Sequence, residues 1–381
     1  MFVFTNVTYR WPGGADNLVY LLVEHLFRET GEKVMIFGKE DSYLVGRLSQ
    51  NGIGFEFYDI DDDAGYAKVG KNDVLVLSSS YYGLKKFRRT GCRVLVWNIL
   101  TFSMIRWNRL QFLGENRLAE RVRFFFNRGF LRFLRARNAL VCMDATTRRE
   151  LDEYMGASLD TPIIQVPIKV SENRHGSARP GEVVNITYIG RGDEEWKVAP
   201  VKKIVGDLRA FDLSARIHVF TSQTDLFERE LAGCAGEGVG ISYHTGYYGE
   251  RLQRMLLETS DVNFSMGMSA LESASIGVPT ILIDPTHSGY PPGYRYRWLF
   301  EARDFSLGEF VDEHSPISGS MDLRQVIGTL RDDDARRSVS ERSFDHVRRN
   351  HAVGIVFERF MNHRHYVSIR DVARFTPNMW L

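Results

Sequence analysis

Short apolar, β-branched and aromatic runs alternate with amphipathic stretches along the first half of the chain. Phe2–Asn6, Lys33–Phe37, Gly54–Tyr58, Asp73–Leu77, Arg93–Trp97, Ala139–Met143 and Ile163–Val166 read as strands. Between the first two, Leu18, Leu22 and Leu26 fall on one helical face of Ala15–Thr30, and Gly31 supplies the stop signal. Strand, helix, strand at this spacing makes βαβ units and a parallel sheet. Pro167–Glu182 breaks the rhythm: it is polar, aperiodic and carries Pro and Gly, which predicts a linker. The alternation resumes with Val184–Ile189, Arg216–Phe220, Val239–Tyr243, Asp261–Ser265 and Thr280–Ile283, and a helical stretch runs from Ala335 to Phe360. The pattern predicts two open α/β domains, residues 1–166 and 183–340. Between them lies the linker 167–182, and a helical segment, 341–381, is expected to cross back to the first domain.

Charge and cysteine usage narrow the function classes. Three cysteines, Cys92, Cys142 and Cys234, form no CxxC pair, which points to a reducing compartment and away from a zinc site. The start of the chain lacks the basic region of a signal peptide, so none is expected. Around the strand near residue 96, the longest uncharged stretch, Val94–Ile105, is too short to span a bilayer. Net charge is +1, yet Phe102–Asn138 holds nine arginines against two acids; that segment carries +7 and the remainder −6. A chain without an overall basic balance is not expected to bind nucleic acid generally.

Three segments offer chemistry. Trp11-Pro12-Gly13-Gly14-Ala15 joins the first strand to the first helix. The glycines serve either a tight turn or the close approach of an anion to a helix start. Asp16 follows, either as a general base or as the helix cap. In NITYIGRGDEEWK, Arg191 and Lys197 stand at the carboxyl end of a strand, where open sheets bind ligands, and two cations there suit a diphosphate. Asp193, Glu194 and Glu195 between them equally fit a solvated loop. The third segment, DVNFSMGMSALESASIGVPTILID, is a strand, a glycine turn, a short helix and a second strand. Its Ser269-Ala270-Leu271-Glu272 has the form of a capping box; alternatively the helix start holds a phosphate and Glu272 a ribose diol.

Together, GGA after the first strand, GR with a lysine six residues on, and SMGMSALESASIGVPTIL resemble a GT-B fold glycosyltransferase, closest to glycosyltransferase family four. The resemblance implies two Rossmann-like domains facing across a cleft. It also implies a donor diphosphate held by Gly13, Gly14, Arg191, Lys197, Gly267 and Ser269, with Glu272 on the ribose. Two positions depart from the family pattern. Phe264 stands where a second glutamate usually faces the donor sugar, and Trp97-Asn98 replace a histidine often found after the fifth strand.

At helical spacing, Arg117, Arg121, Arg128, Arg132 and Arg135 share one face, flanked by Phe124, Phe125 and Leu131. This surface suits an anionic membrane; the alternative is a solvated helix with Phe126, Phe130 and Phe133 in the core. The triplet Asp61-Asp62-Asp63 reads as a solvated loop, and His287 and His363–His365 have no partners at metal-ligand spacing. Tyr294, Tyr296 and Trp298 either stack on a ligand or pack a loop, and His244 lies near the expected cleft.

The expectation is therefore a cytoplasmic glycosyltransferase, peripheral to the inner membrane face. It would move a sugar from a nucleoside-diphosphate sugar to a lipid-linked or polysaccharide acceptor in cell-surface glycan assembly, without cofactor or metal. Retention of configuration, which the resembled family shows, makes no side-chain base obligatory; inversion would call on Asp16 or His25. Two rival readings are a non-catalytic GT-B-like binding protein and a nucleotide-sugar epimerase.

Overall fold

The β1 strand (Phe2–Asn6) is fully flanked by parallel neighbours, as its apolar run requires. Around it lie α1 (Gly14–Thr30), β2 (Met35–Gly38), β3 (Glu56–Asp59), β4 (Val74–Leu77), β5 (Arg93–Asn98), α2 (Arg117–Ala136), β6 (Leu140–Cys142) and α3 (Ala145–Met155). The strands run parallel in the order β3-β2-β1-β4-β5-β6, a doubly wound arrangement. This computed structural model describes residues 1–6, 13–78, 84–99, 117–172, 181–236 and 238–375. By contacts the chain divides into two compact units, Met1–Pro167 with Val353–Leu381, and Ile168–Ala352.

Helix α1 buries Leu18, Leu22 and Leu26, the stripe its sequence shows, and stops at Gly31 in the left-handed conformation (φ 69°). The Ile163–Val166 run is not a strand. It contributes a single parallel bridge, Cys142 to Ile163, because the neighbouring strand β6 ends at Cys142.

The second unit repeats the winding with β7 (Val184–Ile189), α4 (Ala199–Ala210), β8 (Ala215–Thr221), β9 (Val239–Thr245), α5 (Gly249–Thr259), β10 (Val262–Ser265), α6 (Met268–Ala274) and β11 (Thr280–Leu282). The order is β9-β8-β7-β10-β11, all parallel, and β12 (Arg297–Trp298) adds an antiparallel edge. The unit begins at Ile168, inside the expected linker. Ile168 N donates to His351 O and Ser171 N to Ser275 O, so the first part of that stretch is bonded into the second unit.

The helical stretch expected from Ala335 to Phe360 is two helices, α7 (Asp333–Asn350) and α8 (Val353–Asn362), interrupted at His351 and Ala352. Helix α7 buries Val339, Phe344 and Val347 in the second unit, so the chain returns to the first unit at 353 rather than 341. There Phe360 packs against Phe2 and Trp97, at 5.1 and 5.6 Å between ring centroids. β13 (Val367–Ser368) then adds antiparallel to β5.

Candidate functional site

Strands β7 and β10 are neighbours, and the chain leaves them in opposite directions, β7 toward β8 and β10 toward β11. The carboxyl ends of such a pair form the crevice where doubly wound sheets take ligands. The loop after β7 carries Arg191 and Lys197, and the loop after β10 carries Gly267, with Ser269 and Glu272 on α6. The five residues assigned from the sequence to this unit thus come from two loops of one switch point.

The β7 loop is rigidly held. Tyr188 Oη, at the end of a fully buried side chain, donates to Lys197 O at 2.7 Å. Gly192 lies against the backbone, where an added Cβ would sit 2.0 Å from Gln223 O. Arg191 is exposed and engaged by its neighbours, Asp193 at 3.5 Å and Glu194 at 3.0 Å. Lys197 differs. Its Nζ stands 3.8 Å from the Trp196 ring centroid and makes no hydrogen bond or ion pair among the described residues. Burial, and secondly the charge of Arg191, push its pKa down to about 8, against the opposing pull of Glu194 and Asp193. Trp196 is itself braced by His287 and Phe310, at 6.0 and 5.3 Å.

The β10 loop turns at Gly267 (φ 61°, ψ −144°), whose N–H donates to Leu307 O at 2.7 Å. Only glycine takes this conformation without strain, and a Cβ there would meet nothing within 4 Å, so the turn faces open space. The expected Ser269–Glu272 capping box does not form. The bend at Gly267 starts α6 at Met268 with no side-chain cap, which places Ser269 inside the first turn and Glu272 beyond reach of the cap amide. Ser269 O accepts from Ser273 Oγ at 3.3 Å. Phe264 is fully buried, edge-on to Tyr296 at 5.3 Å, and presents nothing polar to a sugar.

In the first unit, Trp11 and Pro12 lie outside the described residues. Gly13 caps α1, Gly14 opens it, and buried Asp16 accepts from Gly13 N at 3.1 Å, the capping geometry. His25 is edge-on to Phe357 at 4.8 Å. In α2 the side chains of Arg117, Arg121 and Phe126 lie outside the described residues. Arg128 and Arg135 do not join a free basic stripe. Arg128 Nη2 donates to Met155 O, at the end of α3, and Arg135 Nε donates to Leu159 O at 2.8 Å. Leu131 is buried with Phe130 and Leu134 instead of flanking the stripe. Arg132, Arg135, Phe124 and Phe125 are exposed in α2, Phe125 by 74%.

The acid triplet is spoken for. Asp61 and Asp63 pair with Lys39 and Lys86, and Asp62 caps the helix Asp63–Tyr66. His287 stacks on Phe310 at 5.0 Å, and His363 Nε2 meets Asn138 O at 2.8 Å. Tyr294 and Tyr296 are buried on Asp284 and Asp207, and Trp298 is buried in the same core. Among the described residues no cluster of three His, Cys, Asp or Glu side chains could hold a metal ion.

Sequence reasoning missed a polar chain across β10, β7, β8 and β9. Asp261 accepts from Asn185 N and Nδ2 at 2.7 and 3.2 Å. Asn185 Oδ1 meets His218 Nε2 at 3.4 Å, His218 Nδ1 meets His244 Nε2 at 3.0 Å, and Ser242 Oγ lies 3.0 Å from His218 Nδ1. Burial first, then His244 and Arg216, push the His218 pKa down to about 4. The signal was a histidine at the centre of the apolar strand ARIHVFT.

No family model matches the chain, and no curated protein sequence is detectably similar. Solved structures share the fold. Anabaena Alr3699/HepE in complex with UDP is 10% identical over 95% of this chain and 98% of its own, with a TM-score of 0.60. A variant of S. aureus TarM in complex with fondaparinux, α-GlcNAc-glycerol and UDP is 9% identical over 95% and 99%, with a TM-score of 0.57. An α-glucosyltransferase in complex with UDP and a 13-mer DNA is 10% identical over 95% and 98%, with a TM-score of 0.54. The two doubly wound units are therefore of the GT-B class.

Proposed function

We propose that the chain is a glycosyltransferase of the family-four type that takes its sugar from a nucleoside diphosphate, with UDP the first carrier to test. The observation that carries this reading is Lys197, a half-buried cation without a bonded acid among the described residues, at the switch point of β7 and β10. Three of the solved proteins of this fold hold UDP. In the reaction the anomeric carbon–oxygen bond to the diphosphate breaks, and the acceptor hydroxyl oxygen bonds to that carbon. The hydroxyl proton passes to the departing phosphate or to water. Lys197, Arg191 and the amides after Gly267 stabilise the charge gathering on the leaving diphosphate, and Glu272 holds the ribose. Asp16, engaged as a cap, favours a retaining reaction that needs no side-chain base.

The acceptor in this reading is a lipid-linked or polysaccharide glycan. No described helix is long and apolar enough to cross a membrane. Phe125 and Arg132, both exposed on α2, support docking on an anionic membrane, here taken as the cytoplasmic face. A second reading, a GT-B shell that binds nucleotide without turnover, is favoured by Phe264 where a donor-sugar carboxylate would stand. Calorimetric titration with UDP, GDP, CDP and dTDP tests the site, and hydrolysis of the matching nucleotide sugars tests turnover. Binding by none of the four would overturn the nucleotide reading; binding without hydrolysis or transfer would select the second.

A further inference from the structure

The polar chain beside the switch point has one consistent arrangement of protons. Asn185 Nδ2 donates to the Asp261 carboxylate, so Asn185 Oδ1 is the acceptor that faces His218. His218 Nε2 then carries the proton, which leaves Nδ1 as a bare lone pair. His244 Nε2, 3.0 Å away, donates into that lone pair, and Ser242 Oγ, 3.0 Å from the same nitrogen, turns its own proton to Ile217 O at 3.5 Å. The rings bear this out: centroids 5.3 Å apart with an interplanar angle of 28° place the two nitrogens edge to edge. His244 is therefore held as the Nε2–H tautomer, and its Nδ1 is an acceptor. That nitrogen makes no hydrogen bond among the described residues, and it is not buried.

Its place in the sheet gives this acceptor a purpose. Ile189, Phe220 and His244 are cross-strand partners, so His244 stands two strand spacings, about 10 Å, from the strand that leads into the Arg191 loop. It lies at the carboxyl rim, with Phe220 stacked on it at 4.8 Å and Tyr247 edge-on at 6.1 Å. A diphosphate on Lys197 leaves a nucleoside to extend along this rim. We infer that His244 Nδ1 reads the base of the nucleotide, accepting the ring N–H of uracil, thymine or guanine. The same contact rejects cytosine and adenine, which present a bare ring nitrogen at the corresponding position. This rests on the nucleotide reading above. His244 is the reading residue; Asn185 and Asp261 are positioning residues that fix its tautomer.

Titration of the full chain with UDP, dTDP, GDP, CDP and ADP tests the assignment. The wild type is expected to prefer UDP over CDP by roughly 10- to 100-fold, the worth of a hydrogen bond against two opposed acceptors. His244→Phe keeps the stack on Phe220 and should bring the ratio near unity, whereas Lys197→Met should weaken both nucleotides and preserve the ratio. Long-range imidazole ¹⁵N spectra should show His244 protonated at Nε2 without any variant being made. An unchanged ratio in His244→Phe, equal wild-type affinity for UDP and CDP, or a proton on His244 Nδ1 would each overturn the inference while nucleotide binding stands. Binding of no nucleotide would overturn the parent reading and this one together.

Discussion

Lys197 lays its ammonium on the indole face of Trp196, 3.8 Å from the ring centroid, while Arg191 beside it is taken up by Asp193 and Glu194. A ring face attracts a cation weakly compared with a carboxylate, so the lysine keeps its capacity for an incoming anion. With its pKa pushed down to about 8, its charge is lost as pH rises past that value. UDP affinity is expected to hold from pH 6.5 to 7.5 and fall between 8 and 9.5, with Trp196 fluorescence as the readout. Lys197→Met should weaken UDP by roughly 10- to 100-fold, as for a lost charged hydrogen bond, and should remove the step. For stability the sign is opposite. The unfolded lysine keeps its proton up to its ordinary value near 10.5, so the unliganded fold gains stability as pH rises from 8 toward 10.5.

Gly192→Ala should strain the loop that carries both cations. Its Cβ would meet Gln223 O at 2.0 Å, a backbone atom that cannot step aside cheaply. A loss of about 1–3 kcal/mol in urea denaturation is expected, together with weaker UDP binding. Wild-type behaviour in both assays would show that the loop tolerates the methyl group.

Placing a glutamate at position 264, where the resembled family has one, should not create a sugar contact. The side chain would be buried among Tyr296 and the sheet core, and an unpaired buried charge costs several kcal/mol. The variant is expected to unfold at far lower urea, whereas Phe264→Leu should remain folded and bind UDP. A stable Phe264→Glu with raised turnover would show that this position opens to the donor.

Glu272→Ala separates ligand binding from helix capping. Because α6 begins at Met268 with no side-chain cap, the substitution removes no cap, and the loss of about 1 kcal/mol that a cap deletion brings is not expected from that source. UDP affinity should fall about tenfold if the carboxylate holds the ribose diol, and the difference between mutant and wild type should shrink with 2′-deoxy-UDP, which keeps only one of the two hydroxyls.

Sedimentation with anionic vesicles distinguishes two classes of arginine in α2. Phe125→Ser with Arg132→Glu should abolish sedimentation, since both side chains are exposed. Arg128→Ala and Arg135→Ala should lower the melting temperature, because each releases a carbonyl, of Met155 or Leu159, from its donor.

The doubly wound architecture was legible because parallel strands buried on both faces must be continuous apolar runs; VLVL at β4 and VNITYI at β7 announce themselves. The loops after β7 and β10 were legible for a related reason, since glycines and cations stand at strand ends. Helix starts were less so. Ser269-x-x-Glu272 satisfies the pattern of a capping box, yet the left-handed glycine two residues earlier captures the helix start. Along α2, periodicity placed five arginines on one face but could not show that two of them reach back to backbone carbonyls. The Asp261–Asn185–His218–His244 chain left no motif in the sequence, because its members meet through cross-strand register and not through sequence spacing.

The return of the chain at Val353 imposes an order on synthesis. Strand β5, made early, receives Val367 as its antiparallel neighbour, and Phe2 receives Phe360. At roughly 5–20 residues per second, the first unit leaves the ribosome tens of seconds before the helix and strand that complete it. Meanwhile the whole of the second unit is translated, and its own register can close unaided. The interrupted unit emerges first and finishes last, so a nascent chain stalled near residue 352 would expose Phe2 and one edge of β5 as sticky surfaces. Chaperone capture is expected there, rather than at the end of either sheet's main sequence.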